Sequence, residues 1–178
     1  MNEVSLTNNL LQLNLTIAVA GYEFPNSRDK NDAEWLLIKT SLALGEKRFH
    51  NISPSLEAKD LTEIAIWFDT LARRHLPRWI SMSFLEPNLE FKVYRSTDEF
   101  VRLGVVLSHE SSPPFRLTTW GEDALCIFEF TYADLAEIAA SFHRIAEQFP
   151  SKIRDVDKEN KEQQFSGELS SRVPQTRH

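Results

Sequence analysis

The chain has 178 residues, 20 Lys plus Arg against 26 Asp plus Glu, and a formal charge of −6. Its 42% apolar content supplies one buried core and excludes collagen-like, low-complexity and disulfide-stapled chains. The acidic balance argues against direct nucleic-acid binding, which needs a basic face to displace counterions from phosphates. Cys126 is the single cysteine and sits in the apolar run Ala124-Leu125-Cys126-Ile127-Phe128, where a thiol behaves as a small core residue. Met1-Asn2-Glu3-Val4 has no basic stretch ahead of an apolar one, and no apolar run reaches the ~18 residues that cross a bilayer. The expectation is a cytoplasmic protein with no membrane contact.

In chain order, Leu11, Leu13, Leu15, Ile17 and Val19 alternate with polar residues and predict a strand. Leu36, Ile38, Leu42 and Leu44 predict a second, with Trp35 at its start. Leu61, Ile64, Ala65, Phe68, Leu71 and Ala72 recur at three- and four-residue spacing and predict an amphipathic helix over 59–75. Asp60 with Glu63 three residues on reads as its capping box, and Pro77 as its stop. Trp67, with Ile66, widens its apolar face. Ile80, Met82 and Phe84 lead through the turn Glu86-Pro87-Asn88 into Leu89, Phe91 and Val93. Val101, Leu103, Val105 and Leu107 form the next strand. A turn at Trp120-Gly121-Glu122-Asp123 precedes Cys126, Phe128 and Phe130. The last stripe, Leu135, Ile138, Ala139, Phe142, Ile145, Ala146 and Phe149, predicts a helix capped by Thr131 with Asp134 and stopped by Pro150.

Short links and one-sided alternation give an α+β fold: an antiparallel β-sheet meander with two amphipathic helices packed on it. No internal repeat is visible in the sequence. Residues 1–150 hold 14 Lys plus Arg and 21 Asp plus Glu, a balance of −7, and form the expected single domain. Residues 151–178 hold 6 and 5, with few large apolar residues, and read as a charged, disordered tail.

No phosphate loop, nucleophile elbow or zinc-ligand spacing is present, and no cofactor or metal set is legible. His75 ends the first helical stripe, where it reads as a partly buried or capping residue, and His143 flanks the second as a solvated one. Acids gather at Asp29, Asp32 and Glu34, at Glu86, and at Glu122 and Asp123. Such residues are most often solvated or cap backbone amides. Paired across a cleft they could do acid–base work, the hydrolase alternative. Beside Trp35 and Trp120 they could instead form a recognition surface, since tryptophan is a favoured anchor. A generic interaction module of the same fold is the other alternative, and an uncovered sheet edge leaves a homodimer possible.

One ordered set of motifs goes further. Gly21-Tyr22-Glu23-Phe24-Pro25, Asp32-Ala33-Glu34-Trp35-Leu36, the segment Asp60 to Leu71, Phe84-Leu85-Glu86-Pro87-Asn88-Leu89-Glu90-Phe91, and the closing Phe130 to Pro150 helix occur in series. Over residues 10–150 the chain resembles WapI-like immunity proteins, which accompany contact-dependent bacterial toxins. The resemblance implies a non-enzymatic inhibitor that binds a cognate toxin domain and occludes its active site. Many such toxins are nucleases, and an acidic body would suit their basic sites. The partner-binding residues expected on this reading are Asp29, Asp32, Glu34, Trp35, Glu86, Trp120, Glu122 and Asp123.

Overall fold

The computed structural model describes residues 2–117 and 124–153. The expected turn at Trp120 to Asp123 and all but the first residues of the tail lie outside the described residues. The elements run β1 (Glu3–Asn8), β2 (Leu13–Tyr22), α1 (Lys30–Ala33), β3 (Trp35–Leu44), β4 (Lys47–Glu57) and α2 (Ala58–Ala72). They continue with β5 (Ser81–Ser83), β6 (Leu89–Ser96), β7 (Phe100–Leu107), β8 (Ala124–Thr131) and α3 (Tyr132–Gln148).

The antiparallel α+β fold is the expected one, with its meander divided in two. The sheets run β1-β2-β3-β4 and β5-β6-β7-β8. In each, the fourth strand passes directly into a helix, so the chain builds four strands and a helix twice over. The β3–β4 hairpin turns on Gly45 and Glu46, with Leu44 paired to Lys47. Gly45 has φ +56, the left-handed backbone that a two-residue hairpin loop needs and a glycine supplies without strain.

Period-two alternation turns one side of β2, β3, β7 and β8 inward. Leu13, Leu15, Ile17 and Val19, Leu36, Ile38 and Leu42, Val101 to Leu107 at odd positions, and Cys126, Phe128 and Phe130 are all buried in one core. Helix α2 adds Leu61, Ile64, Ala65, Phe68 and Leu71, and α3 adds Leu135, Ile138, Ala139, Phe142 and Ile145. The helices meet at Phe68 and Phe142, whose rings stack at 5.8 Å, while Phe91 of the second sheet stands edge-on to both, at 5.6 and 6.4 Å. The sheets meet on two sides. Asn8 Nδ2 of β1 donates to the Ile127 carbonyl of β8 at 2.8 Å. On the other side Asn88 Nδ2 donates to Ser55 Oγ of β4 and to Glu110 Oε2, both at 3.1 Å.

Helix α3 has the expected cap: Asp134 N–H donates to Thr131 Oγ1 at 3.2 Å, and Thr131 N–H donates to Asp134 Oδ2 at 2.8 Å. Helix α2 differs. Its N-cap is Glu57, three residues earlier than expected, and Asp60 is the third-position acid that accepts the Glu57 N–H at 2.7 Å. Burial, opposed by that hydrogen bond, holds the Asp60 carboxyl above its ordinary range. The helix also ends before Pro77 could stop it, because Arg74 turns into the left-handed region at φ +65. That strain is offset by tertiary contacts: the Arg74 guanidinium donates to the Asp98 carbonyl at 2.7 Å and lies 4.2 Å from the Tyr132 ring centre. Trp67 is buried as expected, but Ile66 is exposed. His75 is exposed, and His143 is not simply solvated: its Nε2 lies 2.7 Å from Asp69 Oδ2, tying α3 to α2.

Candidate partner-binding surface

Among the described residues, the acids singled out in the sequence lie on different elements. Asp29 caps the single turn of α1 by accepting the Asn31 N–H at 2.8 Å, and Asp29 and Asp32 are exposed there. Arg28 and Lys30 interleave with them, so the segment is close to neutral. Trp35 is half-buried in β3 opposite Glu57. Glu86 is exposed in the link between β5 and β6, on the other sheet. Trp120, Glu122 and Asp123 lie outside the described residues.

Glu34 is the correction. It is fully buried, and a carboxylate with no exposed surface cannot meet a partner. Its Oε1 accepts the backbone amides of Lys152 at 2.6 Å and Ile153 at 3.2 Å, holding the chain that leaves α3. Tyr22 completes this tether by donating its hydroxyl to the Pro150 carbonyl at 2.5 Å. The Lys152 ammonium lies 3.6 Å from the Tyr22 ring centre and donates to the Pro25 carbonyl at 3.0 Å. Burial, and secondarily the Glu34 charge, raises the Tyr22 phenol above its ordinary value.

Acids do converge where β1, β8 and α3 come together. A cleft of about 520 Å³ is lined there by Glu3, Glu129, Asp134 and Glu137, with no basic side chain among the described residues of its wall. The pleat explains the arrangement. Val4 and Leu6 face the core, so Glu3 faces out, and Phe128 and Phe130 face the core, so Glu129 faces out. Glu129 is paired with Arg102 on the neighbouring strand, Nε at 2.8 Å and Nη2 at 2.5 Å.

On the other side of Glu129 a second cleft of about 840 Å³ is lined by Leu10, Leu11, Tyr94, Arg95, Arg102 and Ile127, among others. Leu10 is 94% exposed, Leu11 54% and Tyr94 52%. Leu11 was expected to open a strand. It lies instead in the β1–β2 turn, its amide held by Asn8 Oδ1 at 3.2 Å. Tyr94 rests on Gly104: a Cβ at that glycine would come within 2.4 Å of Tyr94 Cε2. Thr7, Asn9 and Glu129 line both clefts, so the acidic and apolar patches are continuous. Sequence reading missed this surface because Glu3, Glu129 and Glu137 are isolated acids in unrelated segments. The only local signal was Leu10-Leu11 standing between polar turn residues.

Among the described residues, no group of three or more His, Cys, Asp and Glu is placed to hold a metal ion. No helix there is long and apolar enough to cross a membrane. Cys126 is fully buried, and burial pushes its thiol up to about 12, which removes the thiolate that chemistry would require.

Comparison with curated proteins and with solved structures finds no match. The sequence model of the immunity protein WapI-like family does match, over residues 6–150, a span that runs from within β1 to the end of α3. The chain belongs to the WapI-like immunity protein family.

Proposed function

We propose that this protein is a stoichiometric, non-catalytic inhibitor that binds a cognate toxin domain in the cytoplasm and occludes its active site. The family match over residues 6–150 carries the reading. The seam between β1 and β8 is the binding face this reading favours. It pairs exposed apolar anchors, Leu10, Leu11 and Tyr94, with the acids Glu3, Asp134 and Glu137. Interfaces are built this way, with a few desolvated anchors inside a polar rim, over about 1,600 Å² in total. A toxin that cleaves nucleic acid holds phosphates with a basic site, and the acidic cleft complements it as a phosphate mimic. Asp29, Asp32 and Glu86 remain exposed and are proposed as outlying contacts.

The test is calorimetric titration with the toxin domain encoded beside this gene, together with an assay of the toxin's activity. The expected result is one-to-one binding, loss of toxin activity, and an on-rate that falls with added salt. Leu10→Asp with Leu11→Asp is expected to weaken binding by about 100-fold. No heat and an unaffected toxin would end this reading.

A further inference from the structure

The face of the first sheet that points away from the core carries basic side chains that the seam does not use. Leu36, Ile38, Thr40 and Leu42 of β3 are buried, so Lys39, Ser41 and Ala43 face out. On β4, Phe49 packs on the core, so Arg48, His50 and Ile52 face out. Strand register sets the outward residues in three rows: Asn14, Ala43 and Arg48; Thr16, Ser41 and His50; Ala18, Lys39 and Ile52. One basic side chain stands in each row, and successive rows are ~7 Å apart along the strands. The short side chains between them leave the floor low. A cavity of about 300 Å³ opens there, lined by Asn14, Lys39, Ser41, Arg48 and His50, among others.

Among the described residues, every ionisable side chain in that wall is basic. The row of Lys39 ends on Glu3 of β1, which pairs with Ala18 and so lies two strands, about 10 Å, away. Glu46 sits in the hairpin turn and does not line the cavity. The polar groups of β1 and β2 satisfy one another. Ser5 Oγ lies 3.1 Å from Thr16 Oγ1, Asn14 Nδ2 donates to Thr7 Oγ1 at 3.0 Å, and Thr16 Oγ1 donates to Asn14 Oδ1 at 3.3 Å. The Lys39 ammonium, the Ser41 hydroxyl and the His50 ring have no such partner among the described residues. Arg48 Nη1 donates to the carbonyls of Gly45 and Lys47, the latter at 2.8 Å, which position the guanidinium without neutralising it.

We propose that this cavity binds the phosphoryl group of a small soluble ligand. Ser41 and His50, cross-strand neighbours, donate a hydroxyl and a ring N–H from the middle row. Lys39 and Arg48 reach in from the rows on either side. A phosphoryl group brings a charge of about −1.5 to −2 and three acceptor oxygens, which suits several donors converging from two strands. A carboxylate is satisfied by one bidentate arginine and needs no such set. Larger phosphate carriers fit this face poorly. Phe49, the one aromatic residue among the described residues of the wall, packs on the core, so no ring is offered for the stacked bases of a nucleic-acid strand. Ile52, 53% exposed, is the one large apolar residue in the three rows, too little to enter a bilayer. The site uses none of the seam residues, so it stands apart from toxin binding.

Titration of the full chain with inorganic phosphate, followed by amide NMR shifts, tests it, with sodium chloride at matched ionic strength as the control. The expected result is a saturable shift at Lys39, Ser41 and His50 with a dissociation constant of about 1 mM, and no such response to chloride. Lys39→Ala and His50→Ala are each expected to raise that constant about tenfold. Both side chains are exposed, so the melting temperature should stay at the native value. Shifts that do not saturate, or that chloride reproduces, overturn the proposal. So do variants that bind phosphate as the native chain does, and single-stranded RNA or anionic lipid vesicles that bind where inorganic phosphate does not.

Discussion

Glu34 accepts the backbone amide of Lys152 at 2.6 Å, closing a contact between residues 118 positions apart. The same oxygen accepts the amide of Ile153, so one buried carboxylate fixes where the chain goes after α3. Truncating it leaves two amides without their acceptor inside the protein. Glu34→Ala is expected to cost about 1–3 kcal/mol, read as a lower urea midpoint, and Glu34→Gln clearly less, because its amide oxygen still accepts. Equal losses for the two variants would show that packing, not hydrogen bonding, holds this joint.

Tyr22 reports on the same joint. Its phenol is raised above 10.0 mainly by burial and secondarily by the Glu34 charge. A folded value above the unfolded one means that the neutral phenol stabilises the fold. That contribution is complete below the unfolded value and is lost as pH rises through the folded one. Spectrophotometric titration of Glu34→Gln is therefore expected to show Tyr22 ionising at lower pH than in the native chain, though still late because burial remains. An unchanged titration would remove Glu34 as a cause.

The Phe68, Phe91 and Phe142 rings join both helices to the second sheet, and all three are fully buried. Phe142→Ala is expected to cost about 3–5 kcal/mol in urea unfolding, the usual loss for a core aromatic plus its cavity. Phe142→Leu should recover most of it. A loss below 1 kcal/mol for the alanine variant would contradict the packing described.

Gly104→Ala separates stability from binding. Its new Cβ would lie 2.4 Å from Tyr94 Cε2 and 2.9 Å from Leu125 Cδ1, so the tyrosine ring must move. Because Tyr94 is half exposed it can swing outward, and the stability cost is expected to stay near 1 kcal/mol. Toxin binding through the β1–β8 seam is expected to fall at least tenfold. Native affinity in a variant whose Tyr94 has moved would take that ring out of the binding face.

Cys126 gives a chemical check on the core. With its thiol pushed up to about 12, against an ordinary 9.0, it is expected to stay unlabelled by a thiol reagent at pH 8 and to react in full once urea unfolds the chain. The neutral thiol's contribution to stability is present below 9.0 and disappears as pH climbs toward 12. Rapid labelling of the folded protein would place β8 at the surface.

What the sequence made legible follows from local physics. Period-two runs such as Val101 to Leu107 and helical stripes such as Leu135 to Ile145 mark buried faces whatever they pack against. The Thr131–Asp134 cap is set within four residues. Less regular stretches were silent: β4 mixes Arg48, Asn51 and Ser53 with apolar positions, and β1 is only six residues long. The cap of α2 was misplaced because Asp60 fits equally as a first or a third capping residue. Only the strand feeding the helix chose between them.

The sequence by itself determined an antiparallel α+β chain with two amphipathic helices and an acidic balance, since each depends on neighbours along the backbone. Tertiary structure alone decided that the meander splits into two sheets, that Glu34 turns inward as a tether, and that Glu3, Glu129, Asp134 and Glu137 gather on one face. Those outcomes depend on residues far apart in the chain meeting across β1, β8 and α3, and a charge or an apolar side chain acquires its role only when burial or a neighbour fixes its surroundings.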